Sequence, residues 1–311
     1  MTDAPWLVLL GGLVLAFVGG ELFLRGVVGF AAWLRIPKAL AAATLGAFAT
    51  SSPEVSVAVN AGLAGEGAVA LGDALGSNIV NVGLVLGLVL CIGPLPFQMK
   101  EQRREFILAL LVPLVVLGIL ADGVYSRWEA TVSLAVFAFW LTLVARHAWR
   151  ERSAPETQHV PRSGWIPLAL SLAGAGLLAL AGKFIVMGGT GLGQLFGLDP
   201  FFIGVTIVAL GTSTPELATA VISKLRGHDE VGVGTILGSN IFNCLFIVGL
   251  TGVVAPFEVQ PQDVAVSIGF GVATVLCLIP LRGQDLGRHR GLLLLALYAA
   301  SIFAASLTQV K

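Results

Sequence analysis

Two glutamates at matching positions in long apolar stretches are the residues of this sequence best suited to chemistry. Glu54 closes the segment TLGAFATSSPE at 44–54, and Glu216 closes the related segment TIVALGTSTPE at 206–216. A charged side chain deep in a membrane costs about 3 kcal/mol or more and marks a functional site by default. Neither segment contains a Lys or Arg that could pair with its acid. We therefore interpret both glutamates as cation ligands; the structural alternative is a protonated glutamate hydrogen-bonded between helices.

Hydroxyl groups accompany both acids. Thr50 lies four residues before Glu54, and Thr212 lies four before Glu216, so each pair projects from one helical face. The proline before each glutamate removes a backbone donor, and its ring clashes with the carbonyl four residues back. We expect carbonyl oxygens in the turn before each glutamate to face inward, because broken backbone survives at membrane depth only where it is buried or lines a cavity.

A second repeated motif adds amide oxygens. The hexapeptide GSNIVN contains Ser77 and Asn81, one helical turn apart, and its counterpart GSNIFN contains Ser239 and Asn243. Together with the carboxylates and hydroxyls, these are hard oxygen ligands, which suit calcium and its coordination by about 6–8 oxygens. A packing seam of small residues between helices is the alternative interpretation of this motif.

Four further polar side chains in these motifs have structural alternatives. Ser51 and Ser213 could hydrogen-bond back to their own helix instead of binding an ion. Asn78 and Asn240 point away from Asn81 and Asn243 on a helix. We expect these two asparagines to be structural and to satisfy backbone groups.

The composition is that of a membrane protein. The chain of 311 residues is 56% hydrophobic and 12% charged, with a mean hydropathy of +0.92, whereas soluble domains carry about 25% charged residues. Equal numbers of acidic and basic residues, 18 of each, indicate no nucleic-acid partner, and no obligatory protein partner is evident.

A helix crosses the hydrocarbon in about 20 residues. The apolar runs predict ten spans, near 5–27, 37–62, 67–92, 105–121, 128–146, 164–189, 199–223, 230–254, 262–281 and 290–308.

The distribution of basic residues predicts the orientation of these spans. Alternate linkers are rich in Arg and Lys, whereas the opposite side carries only Arg127 and Lys311. The positive-inside rule places the basic linkers in the cytoplasm and both termini outside an inner membrane. The first span follows Met-Thr-Asp without a basic n-region, so we interpret it as a retained span rather than a signal peptide.

The two halves of the chain are repeats. Both motifs recur at the same offset, because 216 − 54 and 243 − 81 are both 162. We divide the chain into a first five-helix repeat at 1–146, a cytoplasmic linker at 147–163 and a second five-helix repeat at 164–311. Since each half holds an odd number of spans, the second half crosses the membrane in the opposite sense. The predicted fold class is an all-α polytopic membrane protein with ten transmembrane helices in two inverted-topology repeats, and secondary transporters of this plan bind substrate near the midplane.

The paired motifs resemble the two alpha-repeats of the cation/calcium exchanger superfamily, in particular those of prokaryotic sodium/calcium exchangers. The resemblance extends over essentially the whole chain. It implies a secondary antiporter, not an enzyme, that exchanges Ca²⁺ for Na⁺ by alternating access and needs no catalytic cofactor. It also implies that spans 1 and 6 slide across the other eight. The glycines expected to ease that sliding are Gly26, Gly29, Gly188, Gly189, Gly191 and Gly193.

The resemblance further implies a cluster of cation ligands at corresponding positions of the two repeats. Ala47 and Ala209 would contribute only their backbone carbonyls. The full set is Ala47, Thr50, Ser51, Glu54, Ser77 and Asn81 from the first repeat, with Ala209, Thr212, Ser213, Glu216, Ser239 and Asn243 from the second. One position departs from the pattern: many exchangers of this type carry Asp where this chain has Asn243, which leaves two carboxylates in the set instead of three.

Three alternatives stay open. A proton/calcium exchanger is the nearest, although that branch typically shows Gly-Asn-x-x-Glu where this chain has Ser-Ser-Pro-Glu and Ser-Thr-Pro-Glu. An intramembrane hydrolase would need a general base and an activated water or nucleophile, whereas hydroxyls, amides and carbonyls suit cation coordination better. A passive channel would move calcium without a counter-ion, so the dependence of flux on counter-ions separates it from an exchanger.

Overall fold

The computed structural model describes residues 4–33, 51–96, 99–150, 163–225, 233–279 and 285–307, and these ranges are almost entirely helical. The helices are α1 (Pro5–Trp33), α2 (Ser52–Ala64), α3 (Gly67–Ile92), α4 (Met99–Ile119), α5 (Arg127–Arg150), α6 (Trp165–Phe196), α7 (Pro200–Thr212), α8 (Thr214–Leu225), α9 (Val233–Phe242 continued by Asn243–Ile247 and Val248–Val254), α10 (Pro261–Leu276) and α11 (Arg288–Leu307). Each of the ten predicted spans overlaps at least one of these helices, which confirms the prediction of an all-α protein.

Seven helices in the described ranges are long and apolar enough to cross a membrane, namely α1, α3, α4, α5, α6, α9 and α11. Their burial separates a centre from a periphery. In α3 and in the apolar part of α9, 78% of the span is buried inside the protein, against 17% for α5. The peripheral helices expose large apolar side chains such as Phe17, Phe139 and Leu172. Because these side chains face outward and the central helices are covered, the protein is built to sit in lipid with α3 and α9 at its core.

Helices α1 and α6 form a closely packed antiparallel pair. Gly12, Gly19 and Gly26 recur every seven residues along α1, and all three face α6. A Cβ added to Gly12 would lie 2.8 Å from the backbone nitrogen of Ile185, and one added to Gly26 would lie 2.3 Å from that of Ser171. Small residues at these positions are therefore required for the close approach of the two backbones, as is common between membrane helices.

The glycines expected to ease sliding divide into two groups. Those at 26, 29, 188 and 191 contact the other member of the α1–α6 pair, so they hold the pair together and do not face the remaining helices. Gly189 and Gly193 instead lie against Ile203 at the start of α7. Of these six glycines, only Gly189 and Gly193 therefore lie at the contact between the α1–α6 pair and another helix.

Helices α3 and α7 also approach at backbone contact. A Cβ added to Gly72 would lie 2.3 Å from the carbonyl oxygen of Phe201, and one added to Gly204 would lie 2.3 Å from that of Val69. One turn along α3, a Cβ on Gly76 would lie 2.4 Å from a carbonyl oxygen of α7. These contacts fix polar side chains of α3 beside α7.

Two short antiparallel ribbons join the halves of the chain. Strand β1 (Leu95–Pro96) pairs with β4 (Asp285–Leu286), and β2 (Val124–Tyr125) pairs with β3 (Phe257–Glu258). In each ribbon one strand comes from the first half and the other from the second. Strands β1 and β3 begin at Leu95 and Phe257, which are 162 residues apart. They therefore occupy corresponding positions of the two sequence repeats, which agrees with the internal symmetry of the motifs.

Candidate cation site

The helices that carry the two glutamates begin at matching breaks in the backbone. Ser51 has φ −85° and ψ 13°, and Ser213 has φ −81° and ψ 5°. This bridge region of backbone space is sparsely populated and is common at active sites. Helix α2 starts immediately after Ser51 with Glu54 in its first turn, and α8 starts after Ser213 with Glu216 in its first turn. Each carboxylate therefore lies near the positive end of a helix dipole.

The prolines initiate these helices. Pro53 is in the first two positions of α2, where a missing backbone donor costs nothing because it would have no helical partner. The expected free carbonyl at Ala209 is not free: it accepts a hydrogen bond from the backbone nitrogen of Ser213 at 3.1 Å. The physical reason is that Pro215 lacks the donor for Gly211, four residues back, and not for Ala209. A ligand role for Ala209 stays a prediction and would use the second lone pair of its carbonyl.

Several buried oxygen atoms near these breaks have no hydrogen-bond partner among the residues that the structure describes. They are Glu54 Oε2, Ser213 Oγ, Asn81 Oδ1 and Asn243 Oδ1. Glu54 itself is 1% exposed. An unsatisfied buried polar atom costs about 1–3 kcal/mol, so each of these oxygens calls for a partner that the described residues do not supply. Carboxylate, hydroxyl and amide oxygens form the donor set of a hard cation.

An exchange of hydrogen bonds between the repeats orients the two amides. Asn81 Nδ2 donates to Asn240 Oδ1 at 3.2 Å, and Asn243 Nδ2 donates to Asn78 Oδ1 at 3.1 Å. Because each amide nitrogen is held by the opposite repeat, the Oδ1 atoms of Asn81 and Asn243 are left as acceptors. Asn78 and Asn240 have the structural role expected of them, but the backbone groups that they satisfy are each other's main-chain oxygens and not the carbonyls before the prolines.

Both asparagines lie where the helix winding changes. Asn81 is in the π-helical segment Val80–Leu86 of α3, and Asn243 begins the π-helical segment Asn243–Ile247 of α9. A third π-helical segment, Gly204–Val208, immediately precedes the end of α7 that carries Thr212. Single-turn π segments inside α-helices occur frequently at functional sites. Here they change the direction of the side chains along the two central helices.

Asp73 is a buried acid that the sequence analysis missed. It is 0% exposed, and its Oδ1 accepts a hydrogen bond from Thr212 Oγ1 at 2.8 Å. Its Oδ2 has no hydrogen-bond partner in the described ranges. The signal was present, because an acid in the apolar run 67–92 is as unusual as Glu54. It was overlooked because Thr235 occupies the corresponding position of the second repeat, so symmetry did not mark it.

The remaining predicted ligands are placed as follows. Thr50 and Ala47 lie outside the described residues. Ser51, Ser77 and Ser239 are buried. Glu216 is partly buried, and the charges of Glu216 and Asp73 both act on Glu54. Helix α8, which carries Glu216 of the second repeat, packs against the segment of α3 that contains Asn81 of the first.

Comparison with known families gives an independent result. The family described as sodium/calcium exchanger protein matches residues 4–146 and 166–307 of this chain. The match falls on both halves and leaves out the predicted linker between them.

Individual relatives agree with this match. The chain is 35% identical to the inner membrane protein YrbG of Escherichia coli (strain K12), with 83% of each chain covered. It is 34% identical to the putative antiporter CaxA of Alkalimonas amylolytica, with 90% of this chain and 89% of the relative covered. The structure resembles that of the sodium-calcium exchanger NCX_Mj soaked with Na⁺ and Sr²⁺, with a TM-score of 0.67 and 26% identity over 97% of this chain and 99% of that one.

Proposed function

Because this chain belongs to the sodium/calcium exchanger protein family, we propose that it exchanges Ca²⁺ for Na⁺ across an inner membrane by alternating access. The observation that carries the proposal is the set of buried, unsatisfied oxygens contributed by both repeats, with Glu54 Oε2 among them. Two carboxylates, Glu54 and Glu216, neutralise one calcium ion. Hydroxyl and amide oxygens complete its shell without adding charge.

The proposed topology is ten transmembrane helices in two inverted repeats, with both termini outside and the basic linkers in the cytoplasm. Helix α2 belongs to span 2, and α7 with α8 forms span 7. The central helices α3 and α9 carry the asparagines and serines, and the breaks at Ser51 and Ser213 present the hydroxyls and glutamates. This arrangement is supported by matching backbone angles at the two breaks and by the π segments at Asn81 and Asn243.

Access to the site would change by movement of the α1–α6 pair as one body. Its internal contacts are made by glycines at backbone distance, so the pair has little freedom within itself. Polar bonds between the pair and the rest of the described protein include two to α2: Ser56 Oγ donates to the carbonyl of Leu178, and Asn60 Nδ2 donates to that of Ala179 at 3.3 Å. Both bonds link α2 to α6 and would break or shift when the pair moves.

The test is uptake of labelled calcium into proteoliposomes with an imposed sodium gradient, at clamped voltage and equal pH on both sides. We expect uptake that requires internal sodium and rises more steeply than linearly with its concentration. Two carboxylates require at least two sodium ions per calcium. A third sodium ion would make exchange move net charge. Uptake that needs a pH gradient and ignores sodium would replace this function with proton/calcium exchange, and uptake without any counter-ion would indicate a channel.

A further inference from the structure

We propose that Asp73 is a third anionic group of the cation site and that it holds a sodium ion beyond the charge that Glu54 and Glu216 neutralise. This inference rests on the proposed exchange of calcium for sodium. It assigns a role to a residue that lies outside both repeated ligand motifs.

The position of Asp73 follows from the contact between α3 and α7. Asp73 lies one helical turn before Ser77 on α3, on the helix that carries two predicted ligands. The backbone contact at Gly72 and Gly204 brings this part of α3 against α7, whose last residue, Thr212, donates to Asp73 Oδ1. Asp73 thus belongs to the first repeat but is anchored by a predicted ligand of the second.

The hydrogen bond leaves both partners able to bind a cation. The Thr212 hydroxyl has one proton and three possible acceptors: Asp73 Oδ1 at 2.8 Å and the carbonyl oxygens of Val208 and Ala209 at 3.1 and 3.3 Å. The carboxylate is the nearest of the three and the strongest acceptor, and with its proton in that bond Thr212 Oγ1 can itself only accept. Asp73 Oδ2 is fully buried and has no hydrogen bond of normal geometry among the residues that the structure describes, although the Ser77 hydroxyl, one turn along α3, also interacts with this carboxylate. Two oxygens that can only accept, on side chains joined by one hydrogen bond, are suited to a common positive ion.

The charge of the site identifies the kind of ion. Among the described residues, the ion pairs of Arg25 with Glu21 and of Arg104 with Glu105 do not involve Asp73, and the hydrogen-bond donor to its Oδ1 is the neutral hydroxyl of Thr212. A buried carboxylate without a cation partner is strongly disfavoured. Calcium already balances the two glutamates, so the third carboxylate calls for one further positive charge. Three sodium ions neutralise all three acids, and Asp73 thereby supplies the charge that the family resemblance would place at Asn243.

The experiment compares Asp73→Asn with wild type in proteoliposomes. The amide keeps an oxygen that can accept from Thr212 Oγ1 and removes only the charge. We expect sodium-driven calcium uptake to lose steepness by about one sodium ion, because one binding site is removed. Calcium self-exchange, measured without sodium on either side, should persist. Unchanged steepness, or a parallel loss of both activities in folded protein, would overturn the inference.

Two further variants make the result specific. Asn243→Asp in the Asp73→Asn background returns a third carboxylate to the site and should restore the steepness, which a purely structural role of Asp73 would not allow. Glu258→Gln removes an exposed acid in β3 and should leave steepness unchanged. If Asp73→Asn fails to fold, Asp73→Ser removes the charge with a smaller side chain and serves the same comparison.

Failure of the proposed function gives a different result. In that case wild type itself shows no sodium-driven uptake. The inference is then decided by calorimetric titration of sodium into detergent-purified protein, where weaker binding to Asp73→Asn than to wild type supports it and equal binding overturns it.

Discussion

Asn78 and Asn240 each donate a side-chain amide hydrogen to the backbone carbonyl of the other, at 3.3 and 3.1 Å. The two residues correspond in the sequence repeat, so the exchange is symmetric. The Oδ1 atom of Asn78 accepts from Asn243 and that of Asn240 accepts from Asn81, so four asparagines form one hydrogen-bond network across the repeat interface. This network ties α3 to α9 and leaves the Oδ1 atoms of Asn81 and Asn243 buried and without a hydrogen-bond partner among the described residues.

Removing one asparagine of this network that is not itself a predicted ligand should still weaken calcium binding. In Asn240→Ala, Asn81 Nδ2 loses its acceptor and the amide is free to turn. We expect the apparent calcium affinity in flux assays to fall by roughly tenfold, which corresponds to about 1.4 kcal/mol and lies within the usual cost of a lost buried partner. Cys244→Ala is the matched control, because it removes a sulfur contacted by Asn78 but keeps all the hydrogen bonds between the four asparagines. Equal affinities of Asn240→Ala and the control would refute the orienting role.

Glu54→Gln and Glu216→Gln should each abolish calcium transport in protein that still folds. The amide has the shape of the acid but cannot offset the dehydration of a divalent ion, and loss of one partner from a buried charge interaction costs about 2–5 kcal/mol. Labelled-calcium flux with purified variants measures this. Normal flux in either variant would remove the site assignment.

Asn81→Ala and Asn243→Ala should reduce transport less than the glutamate substitutions. A neutral ligand can be replaced by a water molecule at little cost, whereas a charge cannot. The same flux assay ranks the four variants side by side. A complete loss in an alanine variant, with residual flux in a glutamine variant, would contradict this order.

Gly182 should resist enlargement because α6 lies against α2 there. A Cβ on Gly182 would lie 2.2 Å from Ser56 Oγ and 2.6 Å from the Ser56 carbonyl oxygen. Gly182→Ala should cost about 1–3 kcal/mol through overpacking and slow transport if α6 moves past α2. Gly176→Ala is the control on the same helix, since its Cβ would meet nothing within 4 Å. Thermal unfolding in detergent and flux measure the two effects, and equal behaviour of both variants would argue against close packing at this point.

The predicted orientation can be tested with single cysteines in a cysteine-free background. A cysteine in the 151–160 linker should react with an impermeant reagent only from the cytoplasmic side, and one at the C-terminus only from outside. The expectation follows from the excess of Arg and Lys in alternate linkers. Labelling of both positions from the same side would mean a miscounted span and would contradict the inverted repeats.

The sequence alone was sufficient for the membrane class and for the repeated motifs that single out Glu54 and Glu216 as candidate ligands. Long apolar runs in a chain with so few charged residues indicate membrane-spanning helices. The repeated Thr-Ser-x-Pro-Glu and Gly-Ser-Asn motifs identify the corresponding positions of the two halves. The structure confirmed helices at every predicted span, and placed Glu54 at the start of a buried helix as the motif indicated.

Only the tertiary structure could decide which polar groups meet. Asp73 has no counterpart in the second repeat, and its role depends on the contact of Gly72 with α7, which brings Thr212 within 2.8 Å. The direction of the Asn81 and Asn243 amides likewise depends on residues about half the chain away. Symmetry in a sequence shows which residues are alike; which of them touch is decided by helix packing, because backbones approach to contact distance only where side chains on both helices leave room.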